Sequence, residues 1–177
     1  MQYVIDPEVR AKAKAPHELF MLNLAVFHLL LAPVALTAGL GAAAILLPAV
    51  PSSLVIAYTY LRARRAADDA PWFVMVQWQL ALRRYRIVVI GYALTALILG
   101  AGLLVGMATP DKTFQGIVFT IFSRFGVMPT VLTVFATFVL ESQAIYQTSR
   151  GEVPDGMVKR FPPPENATGE QAVGEAQ

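Results

Sequence analysis

The chain has 177 residues, of which 56% are hydrophobic and only 15% charged, and its formal net charge is +2. A soluble domain of this length has about 25% charged residues. Because the apolar residues also come in long blocks, the composition excludes an ordinary soluble domain and predicts an integral membrane protein. The chain contains no cysteine, which excludes disulfides, thiolate catalysis and cysteine-ligated metals.

Residues 1–18 are predicted to form a short solvated helix. Asp6 suits the N-cap, Pro7 suits the first helical position, and Pro16 is predicted to end the helix. The first apolar run begins near Leu19 and continues into further apolar sequence. This pattern favours a retained span over a cleaved signal peptide.

Residues 19–61 contain no acidic side chain and no lysine or arginine. One straight helix over this block would be about 65 Å long, whereas the hydrocarbon core of a bilayer is about 30 Å thick. The block should therefore fold back once. The preferred turn is Thr37–Gly41, with spans at about 18–37 and 42–61, and the alternative break is Pro48–Ser53.

The distribution of basic residues favours four spans. In a four-span arrangement, residues 1–18, 62–86 and 146–177 share one side and hold twelve of the fourteen lysines and arginines. The positive-inside rule makes that side cytoplasmic, so both termini should be cytoplasmic in a bacterial inner membrane. A three-span arrangement would separate the basic N-terminal region from the basic C-terminal region.

The third span is predicted at about 87–107 and the fourth at about 125–145, which completes a membrane domain over 19–145. Residues 114–123 are predicted to lie near the outer interface, which leaves Arg124 among the lipid headgroups. If the fourth span instead begins near residue 117, Arg124 lies deeper and becomes a functional candidate. Residues 146–177, rich in proline, glycine and glutamate, are predicted to be a disordered cytoplasmic tail, in which the glycosylation pattern at Asn166 is a chance match.

The segment 71–86 combines tryptophans with arginines. On a helical wheel Trp78 lies on an apolar side, and Arg83 and Arg86 lie opposite, which predicts an amphipathic helix lying against the membrane. Partial alternation over 76–80 leaves a strand as an alternative. The aromatic side chains face away from the basic side, so nucleic-acid binding is not indicated. The helix is a candidate contact for lipid or a cytoplasmic partner through Trp72, Trp78, Arg83, Arg84 and Arg86.

Two spans carry small residues at helical spacing. In the first span such a seam includes His28, a weak candidate for haem ligation or proton transfer, with an interhelical hydrogen bond as the alternative. In the third span Gly102 and Gly106 have GxxxG spacing, which is common in closely packed membrane helices.

The fourth span has a polar stripe on one face. Packing against protein explains this stripe, and the wall of a polar path with Glu141 as its acid is the alternative. Glu141 is expected near the cytoplasmic interface, beside an arginine such as Arg86 or Arg62. The stripe includes Thr130, Thr133, Thr137 and Glu141.

These features predict an all-α integral membrane protein with four transmembrane helices and a cytoplasmic amphipathic helix between spans two and three. No phosphate loop, activated nucleophile, zinc motif or carboxylate pair is present, so we expect neither enzymatic activity nor a bound cofactor. The preferred function is a structural or assembly subunit of a multiprotein inner-membrane complex, either energy-converting or a secretion or conjugation apparatus. The alternatives are a small oligomeric transporter or channel, and a haem- or quinone-associated anchor.

Overall fold

The computed structural model describes residues 1–39 and 43–164, and most of these residues are helical. The only paired extended residues in this part of the chain are Gln2 and Glu152. The elements in chain order are α1 (Pro7–Asn23), a π-helix (Leu24–Leu31), α2 (Ala32–Thr37), α3 (Ala43–Asp69), α4 (Trp72–Met107), α5 (Lys112–Gly126), α6 (Met128–Ser149) and α7 (Asp155–Arg160).

Three helical stretches are long and apolar enough to cross a membrane: Pro7–Ala35, Trp72–Met107 and Lys112–Ser149. The prediction of an all-helical membrane protein is confirmed at this level. The predicted second span lies on α3, whose start adjoins residues outside the described part. The count of four spans therefore remains a prediction.

A bend separates α2 from α3. Gly39 has a φ of 72°, a conformation that a residue with a side chain rarely adopts, and residues 40–42 lie outside the described part of the chain. Helix α3 continues through Pro48 and Pro51, the alternative break. Membrane helices accommodate prolines because neighbouring groups satisfy the freed carbonyls.

Helix α4 packs antiparallel against α5 and α6 along nearly its whole length. The α4 residues in contact fall in number as the numbers of their partners on α5 and α6 rise. A Cβ at Gly102 would meet Phe122, and one at Gly126 would meet Leu99. Further along, Thr95 hydrogen-bonds Thr130 at 2.8 Å, and Arg84 hydrogen-bonds Glu141 at 3.2 Å. Helices α5 and α6 thus continue one another across the short break at Val127.

Helix α1 runs parallel to α4, because His17 contacts Gln77 and His28, further along, contacts Tyr92. Helix α3 runs in the opposite direction, because Ser52 contacts Tyr92 whereas Ala63, further along α3, contacts Gln79. The two ends of the described chain consequently lie at the same end of the bundle.

Pro16 does not end the first helix, contrary to the prediction. Asp6 caps it as expected, with its side chain accepting a hydrogen bond from the Glu8 amide at 2.8 Å, and Pro7 follows at the first position. Proline removes one backbone hydrogen bond. The helix continues because the face that includes Ala13, Pro16 and Phe20 is buried against other helices.

Segment 71–86 is helical, and it forms the first turns of α4, which continues directly into the predicted third span. Its buried residues occupy more than the predicted apolar side, since Phe73 and Val76 are buried as well as Val74 and Trp78. Protein covers these additional faces, so the amphipathic helix predicted for the membrane surface is not confirmed.

The position of residues 114–123 near the outer interface stays a prediction. They belong to α5, which packs along the C-terminal half of α4 through Phe122, and they form part of the stretch Lys112–Ser149 that is long enough to cross a membrane. Arg124 is therefore within a candidate span, and its side chain is exposed. The absence of a side chain at Gly102 permits this close packing of α5 against α4.

The prediction of a disordered tail from residue 146 is wrong for residues 146–164, and residues 165–177 lie outside the described part. Helix α6 extends to Ser149, and Tyr3 and Val153 form backbone hydrogen bonds of 2.9 Å with Gly151 and Met1. These segments enclose a small apolar core at the end of the bundle, which we call the terminal cap. Its buried residues include Tyr3, Ile5, Ala63, Ala66, Phe73, Trp78, Val153, Met157 and Val158.

Candidate functional site

Four polar side chains meet inside the helical bundle, close to the terminal cap. His17 Nδ1 lies 2.6 Å from Glu141 Oε2, and His17 Nε2 lies 3.0 Å from Gln77 Oε1. The histidine and the carboxylate are both 0% exposed. We call His17, Gln77, Arg84 and Glu141 the buried cluster.

The hydrogen bonds of the buried cluster connect His17 to two other helices. The Gln77 amide nitrogen donates to the Glu152 carbonyl at 3.4 Å, and its oxygen faces His17 Nε2 at 3.0 Å. The contact of 2.6 Å between His17 Nδ1 and Glu141 Oε2 is short enough to require a proton between the two atoms. Both ring nitrogens of His17 are thus within hydrogen-bond distance of a partner.

Arg84 brings a basic side chain to the buried cluster. Its Nη1 atom donates to Glu141 Oε1 at 3.2 Å and to the Leu140 carbonyl at 2.7 Å. Its side chain is 11% exposed, so the cation is largely withdrawn from solvent. Both carboxylate oxygens of Glu141 are thus occupied, and one residue ties α6 to α1 and α4. Removing one partner of a buried ion pair typically costs about 3–5 kcal/mol.

A second polar group continues along the bundle from the buried cluster. Asn23 Nδ2 donates to Ser52 Oγ at 3.0 Å and to the Tyr85 hydroxyl at 3.3 Å. The Tyr92 hydroxyl donates to Ser52 Oγ at 2.8 Å and lies 2.6 Å from His28 Nε2. These five residues, which we call the hydroxyl chain, join α1, the π-helix, α3 and α4. The Phe20 ring stacks on Tyr85 with centroids 3.7 Å apart.

The polar stripe of the predicted fourth span faces protein. Thr130 bonds Thr95 of α4, Thr133 and Thr137 donate to carbonyls of their own helix, and Glu141 belongs to the buried cluster. Thr137 is buried, and Thr133 is half-buried against Gly91, where a Cβ would overlap its side chain. The sequence correctly grouped these residues on one face. It did not identify Arg84 as the partner of Glu141, for which Arg86 and Arg62 were expected.

The two glycines of the GxxxG pair differ in their surroundings. A Cβ built on Gly102 would lie 2.6 Å from Phe122 Cγ, whereas one built on Gly106 would meet nothing within 4 Å. Both glycines are buried. Of these two glycines, only Gly102 lies where a side chain would prevent the close packing of α4 against α5.

The histidines do not form a pair. His28 contacts Tyr92 through Nε2, while His17 is enclosed in the buried cluster. The contact between His28 and Tyr92 is an interhelical hydrogen bond, the alternative considered for His28. The two histidines do not face each other, so they could not bind the two sides of one haem. Among the described residues, no group of three or more histidines or acidic residues is placed to hold a metal ion.

The aromatic and basic residues of segment 71–86 divide between the terminal cap and the surface. Trp78 is buried with Arg62 over its ring at 5.6 Å, and Trp72 Nε1 donates to the Phe161 carbonyl at 2.9 Å. Arg83 and Arg86 are exposed. The tryptophans therefore hold protein segments together.

Sequence reasoning missed His17 and Gln77 as site residues. A signal was present for each of them, because a glutamine inside the apolar run 73–82 and a histidine at the edge of a span both need partners when buried. The pattern could not show that they are partners of one another.

No family model, curated protein or solved structure matches this chain.

Proposed function

We propose that the chain is a non-catalytic structural or assembly subunit of a multiprotein bacterial inner-membrane complex, either energy-converting or a secretion or conjugation apparatus. The observation that carries the proposal is the position of Glu141. This acid is the residue on which a transport path would depend, and it is fully buried with both oxygens bonded to His17 and Arg84. Glu141 therefore connects α6 to α1 and α4 as a structural residue.

The outer surface supports a role within a larger assembly. Arg124 is exposed on a stretch long enough to span a membrane, and no ion pair among the described residues includes it. Its neighbours Ile121, Phe125 and Met128 are 48%, 69% and 47% exposed. Charged side chains inside membranes usually pair with one another. A carboxylate on the helix of a neighbouring subunit would supply the missing partner.

The location of the basic residues supports an orientation in which both termini lie in the cytoplasm. Arg10, Arg62 and Arg150 lie on segments at the same end of the bundle, where the two ends of the described chain also meet. The positive-inside rule assigns such an end to the cytoplasm.

A proton-coupled transporter is the second candidate, and the hydroxyl chain favours it. His28, Tyr92 and Ser52 form consecutive hydrogen bonds through an imidazole and two hydroxyl groups, which can pass protons, whereas the Asn23 amide nitrogen that continues to Tyr85 only donates. Under this function, the shared proton of His17 and Glu141 would be exchanged during transport instead of held permanently.

Variants of α6 distinguish the two functions. Under the assembly role, Thr133→Ala is tolerated, whereas Thr133→Leu forces a larger side chain against Gly91 and disrupts assembly. Ala136→Leu, on the exposed face of the same helix, is the matched control. The measurement is native co-purification with mass spectrometry, beside growth or proton flux. An assembled but inactive Glu141→Gln protein would favour the transporter.

A further inference from the structure

Three arginines from two separate segments line one pocket beside the terminal cap. Arg83 and Arg86 lie on α4, and Arg160 lies at the end of α7. A spacing of three residues places Arg83 and Arg86 on the same face of the helix. The rest of the lining consists of Gln79, Leu82, Met157 and Phe161.

None of the three guanidinium groups forms a hydrogen bond or ion pair within the described residues. The arginine ion pairs there involve Arg62, Arg84 and Arg150 instead. The Arg160 guanidinium lies over the Phe161 ring at 5.5 Å, which is a cation–π contact. Three cations that face one pocket repel each other unless an anion lies between them.

The pocket lies where the apolar part of α4 begins. Arg86 directly precedes a run from Ile87 to Met107 that has no charged residue. The hydrogen bond from Trp72 to the Phe161 carbonyl holds the end of α7 against the start of α4. Arg160 reaches Arg83 and Arg86 because it lines the same pocket, at the boundary where lipid headgroups lie beside a candidate span.

We propose that Arg83, Arg86 and Arg160 bind the phosphate of an anionic phospholipid headgroup. Guanidinium groups match phosphate oxygens through paired hydrogen bonds, which favours phosphate over a simple monovalent anion. Leu82 and Phe161, which also line the pocket and are half-buried, provide an apolar surface for the glycerol and upper acyl chain. The proposal concerns a lipid site and is independent of whether the chain serves assembly or transport.

The test uses the purified full-length chain and native mass spectrometry with added phosphatidylglycerol. Each arginine near a lipid surface changes the affinity about fivefold, so Arg83→Gln, Arg86→Gln and Arg160→Gln together should weaken binding about a hundredfold. The matched control is Arg64→Gln, Arg65→Gln and Lys159→Gln, which removes the same charge from exposed positions outside the pocket. The control should lose much less affinity than the pocket variant, because its residues do not contact the bound headgroup.

Two further arms identify the ligand. The Arg→Lys triple variant retains the charge but not the paired hydrogen bonds, and intermediate binding is expected. Inorganic phosphate, tested on the chain in phosphatidylcholine nanodiscs, should bind much more weakly than phosphatidylglycerol. Equal loss in the pocket and control variants would overturn the site. Phosphate binding as tight as that of the lipid would overturn the lipid assignment in favour of a soluble phosphoryl ligand.

Discussion

Gly102 of α4 and Phe122 of α5 pack so closely that a Cβ on the glycine would lie 2.6 Å from Phe122 Cγ. The ring carbon is held near its own backbone and cannot move away as the end of a long side chain would. This contact brings α5 against α4 in the half of the bundle furthest from the terminal cap.

Gly102→Ala should destabilise the protein by about 1–3 kcal/mol, because the added methyl group overpacks the contact with Phe122. Gly100→Ala is the control, since a Cβ there meets nothing within 4 Å. It should be neutral or stabilise the helix by about 0.5–1 kcal/mol. Reversible unfolding in mixed detergent measures both. Adding Phe122→Ala should remove most of the penalty at Gly102, and no rescue would contradict the proposed contact.

Glu141→Ala should lower the free energy of unfolding by about 3–5 kcal/mol, because it leaves Arg84 and His17 buried without their acceptor. Ser142→Ala is the matched control one position further along α6, where the hydroxyl is exposed and bonds only the Phe138 carbonyl. That control should change stability by less than about 0.5 kcal/mol. Similar losses in both variants would show that Glu141 is not a buried structural residue.

The pairing of Gln2 with Glu152 predicts a specific cross-link. The flanking backbone hydrogen bonds make them directly opposed residues of a non-hydrogen-bonded pair, whose Cα atoms lie about 4.5 Å apart. That separation suits a disulfide. Gln2→Cys with Glu152→Cys should therefore oxidise to an intramolecular disulfide, detected by a mobility shift that reducing agent reverses. Glu8→Cys with Glu152→Cys is the control, and efficient cross-linking in both pairs would argue against a defined terminal cap.

The cysteine-free chain allows a direct test of orientation. Lys112→Cys, at the start of α5, should react with an impermeant maleimide added outside intact cells. Asp68→Cys, at the end of α3, should react only after permeabilisation. Both positions are exposed, so accessibility within the protein does not separate them. Labelling of Asp68→Cys from outside would reverse the proposed topology.

Local sequence signals predicted several elements of the fold well. Asp6 and Pro7 define a helix start through hydrogen bonding and a fixed φ, and both requirements involve only neighbouring residues. The stripe from Thr130 to Glu141 was visible because helical periodicity repeats over short distances. Gly102 fitted a spacing rule, although the same rule selected Gly106, which has no close neighbour.

The candidate site was less predictable because its partners are distant in the sequence. His17 and Gln77 are separated by 60 positions, and no local pattern indicates their contact. The C-terminal segment was misread for a related reason. Val153, Met157 and Val158 are too few to form an apolar periodicity, and they become buried only because the N-terminal segment and α4 provide the rest of the core.

The contact between His17 and Glu141 also has a consequence for biosynthesis. His17 leaves the ribosome 124 residues before its partner. At about 5–20 residues per second, that interval is roughly 6–25 s. Because His17 contacts Gln77 and the acid paired with Arg84, it lies near the headgroup level, where water and headgroups can serve as its partners during that interval. The buried cluster closes only when the last long helix arrives, so we expect the final stage of synthesis to be the step that fixes the first helix against the others.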